Sequence, residues 1–236
     1  MAQKFGRAGK SARDMAEKRY LIRAAFALAG GLCALLFLLG VPHLLPAGIG
    51  GLLILLLIFK LGMSLLESKI GEKIKEKRRA VRGARGEERL EEILDELDEN
   101  HMALHDVASA YGNIDHIVIS ESGVFLIETK AHGGRVSVSN GQLLVNGRSA
   151  EKDFIAQTLR NSYWLKERIL KTTGVEPWIN PIIVFTNAFV EWGKPIKGVT
   201  VTNRKFLLKV MARLRRKSEK NSRIWGMREK LTRLGG

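Results

Sequence analysis

Between residues 24 and 59 the chain carries no Lys, Arg, Asp or Glu. The run "AAFALAGGLCALLFLLG", followed by "IGGLLILLLIF", is too long and too apolar for a helix in a soluble core, so it reads as membrane-embedded sequence. As one helix it would rise about 54 Å, against a hydrocarbon thickness of about 30 Å, and it is therefore expected to fold back. The stretch "VPHLLPAG" supplies the turn, because Pro42 and Pro46 interrupt helical hydrogen bonding. Two spans are predicted, at 21–41 and 44–66, with Lys60 snorkelling toward the nearer surface. A cleaved signal peptide is the competing reading. It fits less well, since the charged leader is long and no clear A-x-A site follows the apolar run.

Charge around the run gives an orientation. Residues 1–23 hold seven Lys/Arg against Asp14 and Glu17, residues 60–85 hold nine against three acids, and the intervening loop offers only His43. Both basic flanks are expected on the cytoplasmic side of an inner or plasma membrane, which makes the protein multi-pass with both termini and the following domain in the cytoplasm. The single cysteine, Cys33, lies within the first span and excludes a disulfide framework or a thiolate metal cluster. The formal charge of +15 is uneven: residues 86–103 contribute −7 and residues 204–236 contribute +10. That basic tail suits phosphates of lipid or nucleic acid, and equally suits a solvated helix with a frayed terminus. The organisation expected is a basic leader (1–20), a transmembrane hairpin (21–66), a basic linker (67–82), a soluble domain (83–203) and a basic C-terminal helix or tail (204–236).

At Gly86 the pattern changes. "EERLEEILDELDEN" aligns Leu90, Ile93, Leu94 and Leu97 on one helical stripe with acids elsewhere. Glu87 falls on the apolar stripe, whereas Glu88 falls on the wet side. Glu87 is thus the odd acid, or else a helix N-terminal residue favoured by the dipole. Strands are predicted at 104–108, 114–120, 124–130, 135–138 and 143–145, the last two joined through "SNGQ", a hairpin signal. A helix over 152–172 follows with Ile155, Leu159, Leu165 and Ile169 on its apolar side. A buried strand ("WINPIIVFT"), a short strand ("GVTVTN") and a helix ("RKFLLKVMARLRRK") complete the series. The fold class is α/β, a mixed sheet with the helices from Glu87 and Lys152 beside it.

The stretch "GNIDHIVISESGVFLIETKAHG" places Asp115, Glu128 and Lys130 in otherwise apolar strands. Strand alternation puts Glu128 and Lys130 on one face. With a two-residue turn at Glu121 and Ser122, Ser120 faces Gly123 and Asp115 faces Glu128. Facing carboxylates destabilise a sheet unless a cation compensates, either Lys130 or a bound metal. A three-residue loop with a bulge at Gly123 would instead set His116 opposite Glu128 and turn Asp115 to the other face. Oxygen donors without cysteine favour a hard cation such as Mg²⁺, and a nearby lysine suits phosphodiester hydrolysis. The plainer alternative makes Asp115 a strand cap and Glu128–Lys130 a surface ion pair.

"GARGE" at 83–87, "GNIDHIVISESGVFLIETK", and Gln157, Asn161 and Leu165 at four-residue spacing together resemble the NERD family, the nuclease-related domain, itself similar to the PD-(D/E)xK nucleases. The resemblance covers about residues 83–190. It implies a restriction-endonuclease-like fold in which Asp115 and Glu128 are metal ligands, Thr129 the spacer, Lys130 the catalytic lysine, Glu87 the helical acid completing the metal site and Gln157 a helical glutamine facing it. The implied cofactor is Mg²⁺ or Mn²⁺, and the implied partners are the membrane and DNA or RNA. Intact acids favour cleavage over a binding or scaffold module on the same fold, because a pure binder has no use for convergent charges that repel phosphate. A lipid-binding device around a protein-interaction domain is a third reading. Other candidates are weaker: His105, His116 and His132 are dispersed, Trp178, Trp192 and Tyr163 read as core or lid residues, and Ser109, Ser120 and Ser122 lack a base.

Overall fold

The computed structural model describes residues 3–5, 31, 48–150, 152–191 and 195–234. The first expected span apart from residue 31, the turn at 41–48 up to its last residue, the start of the second span at 44–47, and most of the leader lie outside them. The chain forms two units, one of residues 1–11 with 82–236 and the other of residues 12–81. In the second, the described part is helical. Helix α1 (Gly48–Leu94) takes in the second expected span from residue 48 onward and residues 67–82, expected as a linker. Lys, Glu, Arg and Ala in that stretch are good helix formers, and a glycine inside a helix costs only about 1 kcal/mol, which explains why the helix runs on through Gly71, Gly83 and Gly86. Glu87 is consequently a mid-helix residue, not an N-terminal one. Among the described residues no helix is long and apolar enough to cross a membrane.

The larger unit is an α/β domain built on one eight-stranded mixed sheet. Strands β2 (His101–Ser109), β3 (Gly112–Ser120), β4 (Gly123–Ser139), β5 (Gln142–Val145) and β6 (Arg148–Ser149) follow one another antiparallel. The short β1 (Gln3–Phe5) adds parallel to β2. On the other edge of β4, β7 (Ile179–Val190) pairs parallel, and β8 (Thr200–Asn203) extends it. The two strands expected at 124–130 and 135–138 are one long strand with an irregularity between Lys130 and Gly133. The "SNGQ" turn is tight, with Asn140 and Gly141 both at positive φ as a primed hairpin turn requires.

Each sheet face buries its own apolar layer. The stripe of α1 (Leu90, Leu94) packs with Leu97 on Val118, Phe125, Ile127 and Val184. Helix α2 (Phe154–Thr173) starts at an Asp153 cap and lays Leu165 and Ile169 on Ile117, Ile119, Val124 and Leu126 of the opposite face. The basic C-terminal segment belongs to both layers. Helix α3 (Leu207–Leu214) buries Leu207, Val210 and Met211 with the α1 layer, while α4 (Glu219–Gly226) and α5 (Arg228–Leu231) bury Ile224 and Leu231 with the α2 layer. Between them the backbone N–H of Arg216 donates to Ser122 O at 2.8 Å, where the chain rounds the β3–β4 turn. Trp178 is 71% exposed and Tyr163 66%, so of the core and lid readings expected from sequence the core one holds for neither. Trp192 lies outside the described residues.

Candidate active site

The long β4 has a gap along one edge. Strand β3 pairs with it only as far as His116 opposite Ile127, and β5 takes up the same edge only from Val136. Within this gap stand Glu128 and Lys130. Ser120 faces Gly123, so the two-residue turn is the one formed, and the next step beyond the His116–Ile127 pair brings Asp115 opposite Glu128. Of the two registers open to the sequence, this one puts both carboxylates on the α2 face.

Asp115 takes over the hydrogen bond that the ladder gives up. Its Oδ2 accepts from the backbone N–H of Thr129 at 2.6 Å. Burial raises its pKa well above the usual carboxylate range, and the charges of Glu128 and Glu87 push it the same way, while Lys130 and the Thr129 N–H oppose them. Glu128 is 2% exposed. Its Oε1 accepts from Lys130 Nζ at 2.6 Å and from Gln157 Nε2 at 2.9 Å. Its Oε2 is buried and has no hydrogen-bond partner among the described residues. The ring of Phe154, in the first turn of α2, lies 4.8 Å from Lys130 Nζ and completes the lysine's surroundings.

Glu87 reaches this end of the sheet because Gly86 lets α1 come close. A Cβ on Gly86 would sit 3.0 Å from Thr186 Oγ1 and 3.4 Å from the Cβ of Ala131. The five residues expected at the site thus meet around one gap: Asp115, Glu128, Lys130 and Gln157 by direct bonds to it, and Glu87 through the effect of its charge on Asp115. Among the described residues no group of three or more His, Cys, Asp or Glu side chains is arranged to hold a metal ion.

Residues 82–186 match the family model of the nuclease-related domain. No curated protein and no solved structure matches the chain. The nuclease-related domain match begins with the last turns of α1 and ends within β7, so it contains Glu87, Asp115, Glu128, Lys130 and Gln157 and leaves out the C-terminal helices.

Three features of the site and its surroundings were missed from sequence. His105 and His116 are not dispersed; they are cross-strand partners, both fully buried, with Nδ1 atoms 2.7 Å apart. Burial, followed by the charge of His105, lowers the His116 pKa well below its ordinary value. Counting back from the β2–β3 turn would have found the pair. Phe154 beneath Lys130, and Gly86 against Thr186, join elements remote in sequence, and no local pattern marks either contact.

Proposed function

We propose that this protein is a membrane-anchored, Mg²⁺- or Mn²⁺-dependent nuclease that hydrolyses phosphodiester bonds of cytoplasmic DNA or RNA, on a restriction-endonuclease-like (PD-(D/E)xK) fold. The match of residues 82–186 supports a nuclease-related role. The observation that carries the reading is Glu128, whose Oε1 is locked by Lys130 and Gln157 while its buried Oε2 has no hydrogen-bond partner among the described residues. A bare buried carboxylate oxygen beside a second acid is costly unless a cation meets it. Asp115 and Glu128 fit a hard divalent ion, which commonly takes one or two carboxylates and fills its remaining positions with water and substrate phosphate. Glu87 is the third acid and would assist a second ion or orient water.

When bound, the ion would supply charge neutralisation and an acidified water. The chain's residues do the rest. Gln157 and Lys130 hold Glu128 in one rotamer, the Thr129 N–H fixes Asp115, and Lys130 offers its ammonium to the phosphate in the transition state. The anchor is the hairpin of 21–66 with both termini and the domain on the cytoplasmic side of an inner or plasma membrane, supported by the charge-free run and its basic flanks. Protection of residue 44 from an external reagent, together with labelling near residue 80, would reverse that topology.

The deciding experiment offers single-stranded, duplex and plasmid substrates to the full chain in detergent, with Mg²⁺ or Mn²⁺ against EDTA. Metal-dependent cleavage lost in Asp115→Ala and Glu128→Ala, and slowed about a hundredfold in Lys130→Ala, supports the nuclease. The second reading is a tethered nucleic-acid-binding or scaffold module. It is favoured by two observations: Lys130 is tied to Glu128, and no three-ligand group is present among the described residues. Tight binding without cleavage under any metal, indifferent to these substitutions, would select it.

A further inference from the structure

Resting on the nuclease reading, we infer that a cavity behind Phe154 is the subsite for one unpaired nucleotide flanking the scissile phosphate. This restricts the substrate to single strands or frayed ends. The cavity, of about 260 Å³, lies between the β5–β6 hairpin and the first turn of α2. Phe154 joins it to the candidate active site, since this residue lines the cavity and its ring stands 4.8 Å from Lys130 Nζ. One turn along α2, Gln157 holds Glu128. A strand with a phosphate at Lys130 therefore carries its next unit across Phe154 and into the cavity.

The lining has the chemistry of a nucleotide. Lys152 and Lys197 offer ammonium groups to a phosphate, Gln142 and Ser149 offer hydrogen bonds to sugar or base edges, and Leu143 with Phe154 offers an apolar surface to a base face; the one carboxylate of the lining, Asp153, has its Oδ1 engaged by the Ala156 N–H as the helix cap. The volume falls just under the range of about 300–1,000 Å³ usual for small-molecule sites, so it takes at most the parts of one nucleotide and not a base pair. A base inside an intact duplex reaches such a cavity only by leaving its stack, at a cost of a few kcal/mol that a single-stranded base does not meet.

The test uses the full chain in detergent with EDTA, so that nothing is cut, and adenosine 5′-monophosphate as the probe, read by calorimetry. Ser149→Trp, at an exposed position, fills the cavity without changing charge, and is expected to weaken binding about tenfold or more. Lys197→Ala is expected to weaken a short fluorescent oligothymidylate and lower its salt slope by about one. Lys166→Ala, a lysine of α2 paired with Glu176, serves as the control and is expected to leave both unchanged. Absence of nucleotide binding at millimolar concentration, or binding that Ser149→Trp leaves intact, overturns the subsite. A chain that cuts nucleic acid but binds no nucleotide here loses the subsite alone; one that binds here and never cuts loses the nuclease reading alone.

Discussion

Gln157 Nε2 donates to Glu128 Oε1 at 2.9 Å, joining the first turns of α2 to the open edge of β4. Glu128 is buried, so its rotamer is set by this bond and by the one from Lys130. Gln157→Ala leaves the lysine as the only partner of that oxygen. A hydrogen bond to a charged group contributes about 1.5–3 kcal/mol, so the variant should melt several degrees lower and cut roughly tenfold more slowly. Melting and single-turnover cleavage of the same preparation read the two effects. A variant equal to the parent in both would remove Gln157 from the site.

Gly86 faces a different constraint. In an open helix, Gly→Ala stabilises by about 1 kcal/mol, but here the added methyl would meet Thr186 Oγ1 at 3.0 Å. The Thr186 side chain is buried and its hydroxyl has no hydrogen-bond partner among the described residues, so removing it forfeits no bond. Gly86→Ala alone should lower stability by about 1–2 kcal/mol and weaken cleavage through displaced Glu87. Adding Thr186→Ala should restore both. Denaturant titration of the two single variants and the double gives the coupling, and strict additivity would mean that the contact does not set the helix position.

The strands and the site differ in how far the sequence alone reveals them. Alternation around Asp115, Glu128 and Lys130 gave the shared face, and the short turn at Glu121–Ser122 fixes the register that makes the two acids meet. Helical spacing singled out Glu87, but not the length of its helix, because Gly83 and Gly86 look like breaks until the close approach to Thr186 explains one of them. The parallel pairing of β7 with β4 and the Lys130–Phe154 contact depend on packing between distant segments, which periodicity does not encode.

Asp115 supplies a pH prediction. Burial, then Glu128 and Glu87, raise its pKa in the folded chain above the unfolded value. Such a carboxyl stabilises the fold most below its unfolded pKa and loses that contribution as pH rises through the folded one. Without metal, Asp115 therefore counts against the fold at neutral pH, where the unfolded chain's carboxyl ionises freely. Asp115→Asn, which keeps an acceptor for the Thr129 N–H, should melt higher than the parent near about pH 7.5 in EDTA, and the gain should shrink toward about pH 4. Saturating Mg²⁺ should reverse the order, since only the parent gains from binding. Melting curves that stay parallel across this range would place the Asp115 carboxylate in an ordinary solvated setting.

The C-terminal segment was expected to be a basic helix or tail beyond a domain ending at residue 203, yet its apolar side chains are divided between both faces of the sheet. Leu207, Val210 and Met211 lie in the α1 layer, and Ile224 and Leu231 in the α2 layer, all buried. Burying a side chain of this kind contributes about 1.5–3 kcal/mol, so the five together approach the whole stability of an ordinary domain. Deleting residues 204–236 should therefore yield a chain without a cooperative melting transition, even though every residue matched to the nuclease-related domain remains. Neutralising the exposed Lys217, Lys220 and Arg223 instead removes charge and spares the core, and should leave the melting temperature within about a degree of the parent. Calorimetry of the two variants separates the roles. A truncated chain that unfolds cooperatively at the parent's temperature would show the segment to be an appendage after all.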